Sequence, residues 1–110
     1  MIITKEGNTT IITQERATII ELVANIDKTY DQIKGDNIIV KLFSVKDVKE
    51  ASINDFLLIS KKHKLSKKSF VIVSDTISYE ESPEELSITP TVQEAFDIIE
   101  MEEIERDLDF

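Results

Sequence analysis

Two short and nearly continuous apolar runs predict the centre of a buried β-sheet. They are Asn37–Phe43 and Ser69–Asp75, and Val, Ile, Leu and Phe make up most of both. Such runs are typical of parallel strands covered on both faces, although Lys41 indicates that one side of the first strand is partly wet. A helical segment separates the runs, so we expect a strand–helix–strand unit whose strands pair in parallel.

The first residues of the chain are predicted to form a hairpin. Met1–Lys5 and Thr9–Thr13 are β-branched runs on either side of a short polar turn. Either Gly7 or Asn8 is expected to take the positive φ that a tight turn requires.

A long amphipathic helix is expected after the hairpin. Apolar residues recur at spacings of four and three, which places them on one helical face: Ile19, Val23, Ile26, Tyr30 and Ile33. We predict that Thr13 or Gln14 starts this helix and that Gly35 ends it as the C′ residue.

Two further helix starts carry capping signals. Ser52 and Asp55 form a variant of the capping box, which predicts that the second helix begins at Ser52. Thr91 and Glu94 form another box, and the helix that follows is expected to run to about Asp107.

Together these elements predict a single α/β domain over residues 1–110. Leu86-Ser87-Ile88 adds a short edge strand before the last helix. The sheet is expected to be small and mixed, with the hairpin joined to parallel strands and the helices packed mainly on one face. The predicted core consists of Ile19, Val23, Ile26, Val40, Leu42, Phe56, Leu57, Val71, Val73, Phe96 and Ile99.

The composition excludes several kinds of site. The chain has no cysteine and a single histidine, which excludes disulfides, thiol redox chemistry and a multi-histidine zinc site. Its two glycines do not form a phosphate-binding loop, and no nucleophile–base pair is identifiable. We expect no catalytic residue, no metal and no cofactor. Without a signal peptide or an apolar run of about 18 residues, we expect a cytoplasmic protein that does not span a membrane.

The net charge of −9 is concentrated in the last predicted helix. Eight acidic residues and one arginine lie from Glu94 to Phe110, so this segment alone carries −7. Such a chain repels nucleic acid. A basic run ends the second helix: Lys61, Lys62, His63, Lys64, Lys67 and Lys68. These cations are expected to interact with the helix C-terminus, contact with phosphate or RNA being the alternative. His63 is predicted to lie on the surface.

The acidic helix also carries apolar residues in its second half. Met101, Ile104, Leu108 and Phe110 are expected to be less buried than Phe96, because an end this acidic gains little from burying them. They form a candidate interface with a second copy, whose basic run would be the electrostatic complement, or with another protein. A merely solvated acidic face is the alternative.

The order of elements resembles the STAS domain, the fold of sulfate-transporter cytoplasmic domains and anti-sigma factor antagonists. Three features carry the resemblance: the hairpin with its long helix, the strand Asn37–Phe43 leading to the turn at Ser52, and the short strand with a helix start at Ile88–Phe96. The resemblance implies a non-catalytic protein-interaction or regulatory module, with a kinase or an anti-sigma-type protein as its partner.

In regulatory STAS proteins a serine of that turn is phosphorylated, and the resemblance places Ser52 at its position. Glu50, Ala51 and Ile53 stand where the family has aspartate, serine and glycine. Glu50 and Asn54 flank Ser52 and complete the candidate contact. The alternative is that Ser52 is a plain N-cap, which contributes about 1 kcal/mol.

The chain also resembles short bacterial proteins labelled ribonuclease Z. That enzyme needs a zinc motif with several histidines, and this chain has one histidine. The second functional hypothesis is therefore an accessory subunit of an RNA-processing enzyme, without catalytic activity of its own.

Overall fold

A computed structural model describes residues 1–13, 18–42, 54–75 and 85–108. Within these ranges the fold comprises five strands, three α-helices and one 3-10 turn. The strands are β1 (Ile2–Glu6), β2 (Thr9–Thr13), β3 (Asn37–Lys41), β4 (Phe70–Val73) and β5 (Ser87–Thr89). The helices are α1 (Ile19–Ile33), α2 (Leu57–Leu65) and α3 (Val92–Leu108), and the 3-10 turn at Asn54–Phe56 precedes α2.

The five strands form one mixed sheet in the order in which they occur along the chain. β1 and β2 are antiparallel, and Gly7 at their turn has a φ of 58°, as the hairpin pattern predicted. All the other neighbours are parallel, and Val40 of β3 lies opposite Ile72 of β4. The predicted parallel pairing of the two central strands is confirmed.

Helices cover both faces of the sheet, which explains why β3 and β4 are nearly continuous apolar runs. On one face, α1 and α2 pack over a core that contains Ile38, Val40 and Ile72. On the other face, α3 packs over Ile39 and Val71. Two of the three described helices therefore share one face, as expected, while the acidic helix lies alone on the other.

Most of the predicted core is buried. Three of its members are only partly covered: Val23, Leu57 and Phe96. The remaining positions are nearly inaccessible to solvent: Ile19, Ile26, Val40, Leu42, Phe56, Val71, Val73 and Ile99.

The predicted start of α1 at Thr13 or Gln14 is wrong. Thr13 still belongs to β2, where it pairs with Lys41 of β3, and the helix begins only at Ile19. Thr18 is the N-cap, since its hydroxyl accepts a hydrogen bond from the backbone N–H of Glu21 at 3.2 Å. Helix α1 ends as predicted: Gly35 directly follows the C-cap residue.

The other helix starts have different outcomes. The predicted cap of the second helix, Ser52, lies outside the described residues, and Phe56 at the start of α2 makes no side-chain cap. At the start of α3, the backbone N–H of Glu94 donates to the Thr91 hydroxyl at 3.1 Å, which confirms this half of the predicted capping box.

Candidate functional site

The carboxyl edge of the sheet bears the residues next to the predicted contact. Parallel strands all end at this edge, and the helices that follow them begin there with unpaired backbone N–H groups. Ser52 and Glu50 lie outside the described residues, between Leu42 after β3 and Asn54 before α2. Asn54 is exposed, and Leu58 in the first turn of α2 is 82% exposed. The described residues that follow the segment with Ser52 thus include two that are exposed to solvent.

The opposite, amino-terminal edge of the sheet is closed by hydrogen bonds from α3. Asn37, buried at the start of β3, donates from Nδ2 to Glu103 Oε1 at 2.9 Å and accepts the Ser69 backbone N–H on Oδ1, also at 2.9 Å. Asn8 at the hairpin turn donates to the same Glu103 oxygen at 3.2 Å. One glutamate of α3 thus connects the hairpin with β3, and Asn37 extends the connection to the start of β4.

A second carboxylate of α3 reaches the same edge. Ser69, which is buried, donates from Oγ to Glu102 Oε1 at 2.5 Å, and Arg106 donates from a guanidinium nitrogen to Ser69 Oγ at 3.2 Å. The acidic helix therefore turns Glu102, Glu103 and Arg106 towards the sheet. Hydrogen bonds, rather than apolar contacts, hold its second half in place.

His63 is fully buried under α2, so the prediction of a surface histidine is wrong. It lies on the inner face of α2 with Phe56, Ile59 and Ser60, at the spacing of three and four residues that marks one side of a helix. Lysines precede and follow His63 in the sequence, and they led to its assignment to a solvated basic run instead of to this buried face.

The two ring nitrogens of His63 both have partners. Nε2 lies 2.8 Å from the backbone carbonyl oxygen of Asp36, and Nδ1 lies 2.8 Å from the Tyr30 hydroxyl. A carbonyl can only accept, so Nε2 carries the proton and Nδ1 accepts from Tyr30. The imidazole also makes edge contacts with the rings of Tyr30 and Phe70, with centroids 5.5 and 6.3 Å apart. This neutral histidine joins α1, α2 and the start of the sheet.

Burial lowers the pKa of the His63 imidazole below its ordinary value of 6.5. The hydrogen bond to the Asp36 carbonyl raises this pKa, and the positive charges of Lys68 and Arg106 lower it. Burial and the two charges together exceed the effect of the hydrogen bond, so the pKa is lowered overall. The unfolded chain therefore binds a proton at a higher pH than the folded protein does. The stability that this difference contributes is fully present above pH 6.5 and is lost as the pH falls below it.

We expect the free energy of unfolding of the wild-type protein to fall between about pH 7 and pH 5 more steeply than that of His63→Gln, whose amide does not titrate in this range. All other ionisable groups are the same in the two proteins, so the difference isolates the imidazole. Urea unfolding at several pH values measures it. Parallel pH profiles for the two proteins would contradict the assignment.

A groove at the amino-terminal edge brings the basic run against the acidic helix of the same chain. Its volume is about 380 Å³, and its lining consists of Lys64, Lys67, Lys68, Glu102, Glu105 and Arg106. Three of the lysines that were predicted to face the acidic helix of a second copy thus face the acidic helix of their own chain. Lys61 and Lys62 do not line this groove and are exposed on α2.

The apolar residues of the second half of α3 point away from the sheet. Met101, Ile104 and Leu108 are 61%, 53% and 72% exposed, whereas Phe96 is partly buried. The prediction that they are less buried than Phe96 is confirmed for these three, and Phe110 lies outside the described residues.

Other kinds of site find no support in the part of the chain that the structure describes. No three His, Cys, Asp or Glu side chains are grouped there so that they could hold a metal ion. None of the described helices is long and apolar enough to cross a membrane.

Comparison with known proteins identifies the fold. No protein-family model matches the chain, and no curated protein matches its sequence. Among solved structures, it is similar to RsbS from Moorella thermoacetica, a STAS-domain protein whose solved form carries a serine-to-glutamate substitution. The match has a TM-score of 0.66 and 13% sequence identity, and it covers 91% of this chain and 94% of RsbS. The chain therefore has a STAS-like fold.

Proposed function

We propose that this protein is a non-catalytic, STAS-type regulatory module that binds a protein partner through the carboxyl edge of its sheet around Ser52. The observation that carries the proposal is the match to RsbS over nearly the full length of both chains. The exposure of Asn54 and Leu58, immediately after the segment with Ser52, supports it. The partner is a kinase or an anti-sigma-type protein, in a cytoplasmic setting.

Phosphorylation of Ser52 is the proposed switch. A phosphate adds a charge of about −2 and three strong acceptor oxygens, which alters any contact with a partner surface. The solved RsbS structure itself carries a glutamate in place of a serine, a substitution that introduces a negative charge. Glu50 and Ile53 differ from the aspartate and glycine of the family turn, so the partner must accept larger side chains here.

The experiment uses the full-length protein expressed with an affinity tag in its native cell. Wild type, Ser52→Ala and Ser52→Asp are recovered, and mass spectrometry measures phosphorylation and the proteins retained. We expect Ser52 to be phosphorylated in the wild type, and a kinase or an anti-sigma-type protein to be retained. The amount of that partner retained by Ser52→Asp should differ from the wild-type amount by at least about tenfold, in either direction. One charge introduced at the core of an interface changes the binding free energy by about 2 kcal/mol or more.

Ser66→Ala is the matched control, since Ser66 is exposed at the other end of α2, where its hydroxyl donates to the backbone carbonyl of His63. It should retain the partner as the wild type does. Unmodified Ser52, together with a partner that is retained equally by all variants, would refute the switch. Retention of a nuclease independently of Ser52 would instead favour the accessory subunit of an RNA-processing enzyme.

A further inference from the structure

The outer face of α2 combines apolar and basic side chains. Leu58 and Leu65 are 82% and 77% exposed, and Lys61 and Lys62 lie between them. Positions 58, 61, 62 and 65 follow the spacing of three and four that defines one side of a helix. They lie opposite the buried side, which carries His63. We call this surface the α2 outer face.

The outer face of α3 has the opposite charge. Met101, Ile104 and Leu108 form an apolar stripe on the side away from the sheet, and the exposed Glu100 and Asp107 lie beside it. Leaving such side chains in water gives up the favourable free energy of burying them, about 25 cal/mol for each Å² of apolar surface. We call this surface the α3 outer face.

The two outer faces also match in length. Leu58 and Leu65 are seven residues apart, as are Met101 and Leu108, so each pair spans about 10.5 Å along its helix axis. Ile104 lies between the ends of its stripe, where it can insert between the two leucines of the other face. The acidic flanks of one face would then meet the lysines of the other.

We infer that the α3 outer face of one copy binds the α2 outer face of a second copy. Contact between two α3 outer faces would bring carboxylates together, and contact between two α2 outer faces would bring lysines together. Only the mixed pairing joins opposite charges around an apolar centre. The groove lined by Lys64, Lys67 and Lys68 is not needed for this contact, because these lysines already face the acidic helix of their own chain.

The location of the two faces determines the kind of assembly. Helix α2 packs on one face of the sheet and α3 on the other, so a copy that binds through α3 keeps its own α2 outer face free. Such head-to-tail contacts add further copies until a ring closes or a filament forms. The assembly is therefore expected to grow with protein concentration instead of stopping at a symmetric dimer.

Two surface variants of the full-length protein test this arrangement by sedimentation velocity. Leu65→Glu blocks the α2 outer face, and Ile104→Lys blocks the α3 outer face. Both positions are exposed, so both variants should fold as the wild type does, which circular dichroism checks. We expect the wild type to form species larger than a dimer, and each variant alone to remain monomeric. An equimolar mixture of the two variants should form a dimer and stop there, because only one intact pair of faces remains.

Salt and a control variant complete the test. Assembly of the wild type should weaken as salt rises from about 0.1 M to about 1 M, which shortens the Debye length from about 10 Å to about 3 Å. Ile20→Glu changes an equally exposed apolar residue on α1 and should assemble like the wild type. A wild type that is monomeric at high concentration and low salt, a single variant that still assembles, or a mixture that stays monomeric would each overturn the inference.

Discussion

Replacing His63 by alanine should lower the free energy of unfolding by about 3 kcal/mol, since a buried ring is removed and its hydrogen-bond partners are left in the interior. The imidazole is inaccessible to solvent and packs between the rings of Tyr30 and Phe70. Loss of the imidazole leaves a cavity. It also leaves the buried Tyr30 hydroxyl and the Asp36 carbonyl without the hydrogen bonds that they make to His63. Urea unfolding at neutral pH measures the change.

Two further variants separate the contributions to this loss. Tyr30→Phe removes only the hydroxyl that donates to His63 and should cost about 1 kcal/mol. Lys28→Ala changes an exposed residue on α1 and should stay within about 0.5 kcal/mol of the wild type. A loss below about 1 kcal/mol for His63→Ala would contradict the buried, hydrogen-bonded arrangement.

Replacing Asn37 by alanine is expected to cost about 2 kcal/mol and to loosen the end of α3. The change leaves the buried Ser69 backbone N–H without the acceptor it has in the wild type, a penalty of about 1–3 kcal/mol. It also removes a hydrogen bond that holds Glu103 to the sheet. Amide hydrogen exchange should therefore accelerate over residues 103–108 beyond the effect of the global loss of stability.

Asn8→Ala is the control for this prediction. Asn8 donates to the same Glu103 oxygen, but it lies exposed at the hairpin turn, and its removal should cost about 0.5 kcal/mol or less. If the two variants lost equal stability, or if exchange at the end of α3 were unchanged in Asn37→Ala, Asn37 would not be what secures this helix.

The sheet was predictable because its strongest signals are local. Val, Ile and Phe dominate β3 and β4, and such runs fit strands that are covered on both faces. The start of α1 was harder, because Thr13, Gln14 and Thr18 all precede the same apolar pattern and two of them are good caps. Thr13 is excluded as the start of the helix because it pairs with Lys41 in the sheet. The local sequence gives no signal of such a long-range pairing.

The polar side chains were less predictable than the apolar ones. His63 could have been assigned to the core from its spacing to Phe56 and Ile59, but its lysine neighbours favoured a solvated site. The bond between Asn37 and Glu103 joins residues 66 positions apart, and no periodicity indicates it. Charge alone described α3 as a solvated helix, whereas three of its charged side chains hold it to the sheet.

The strand order, which follows the order of the chain, bears on how the protein emerges from the ribosome. Each new strand can pair with the strand made just before it, so the sheet can grow without waiting for a distant segment. The acidic helix is synthesised after all five described strands, and until it docks, Ile39, Val71 and Val73 form a bare apolar surface. The nascent chain is therefore most prone to aggregation, and most in need of a chaperone, after the five strands have formed and before these 17 residues of helix are complete.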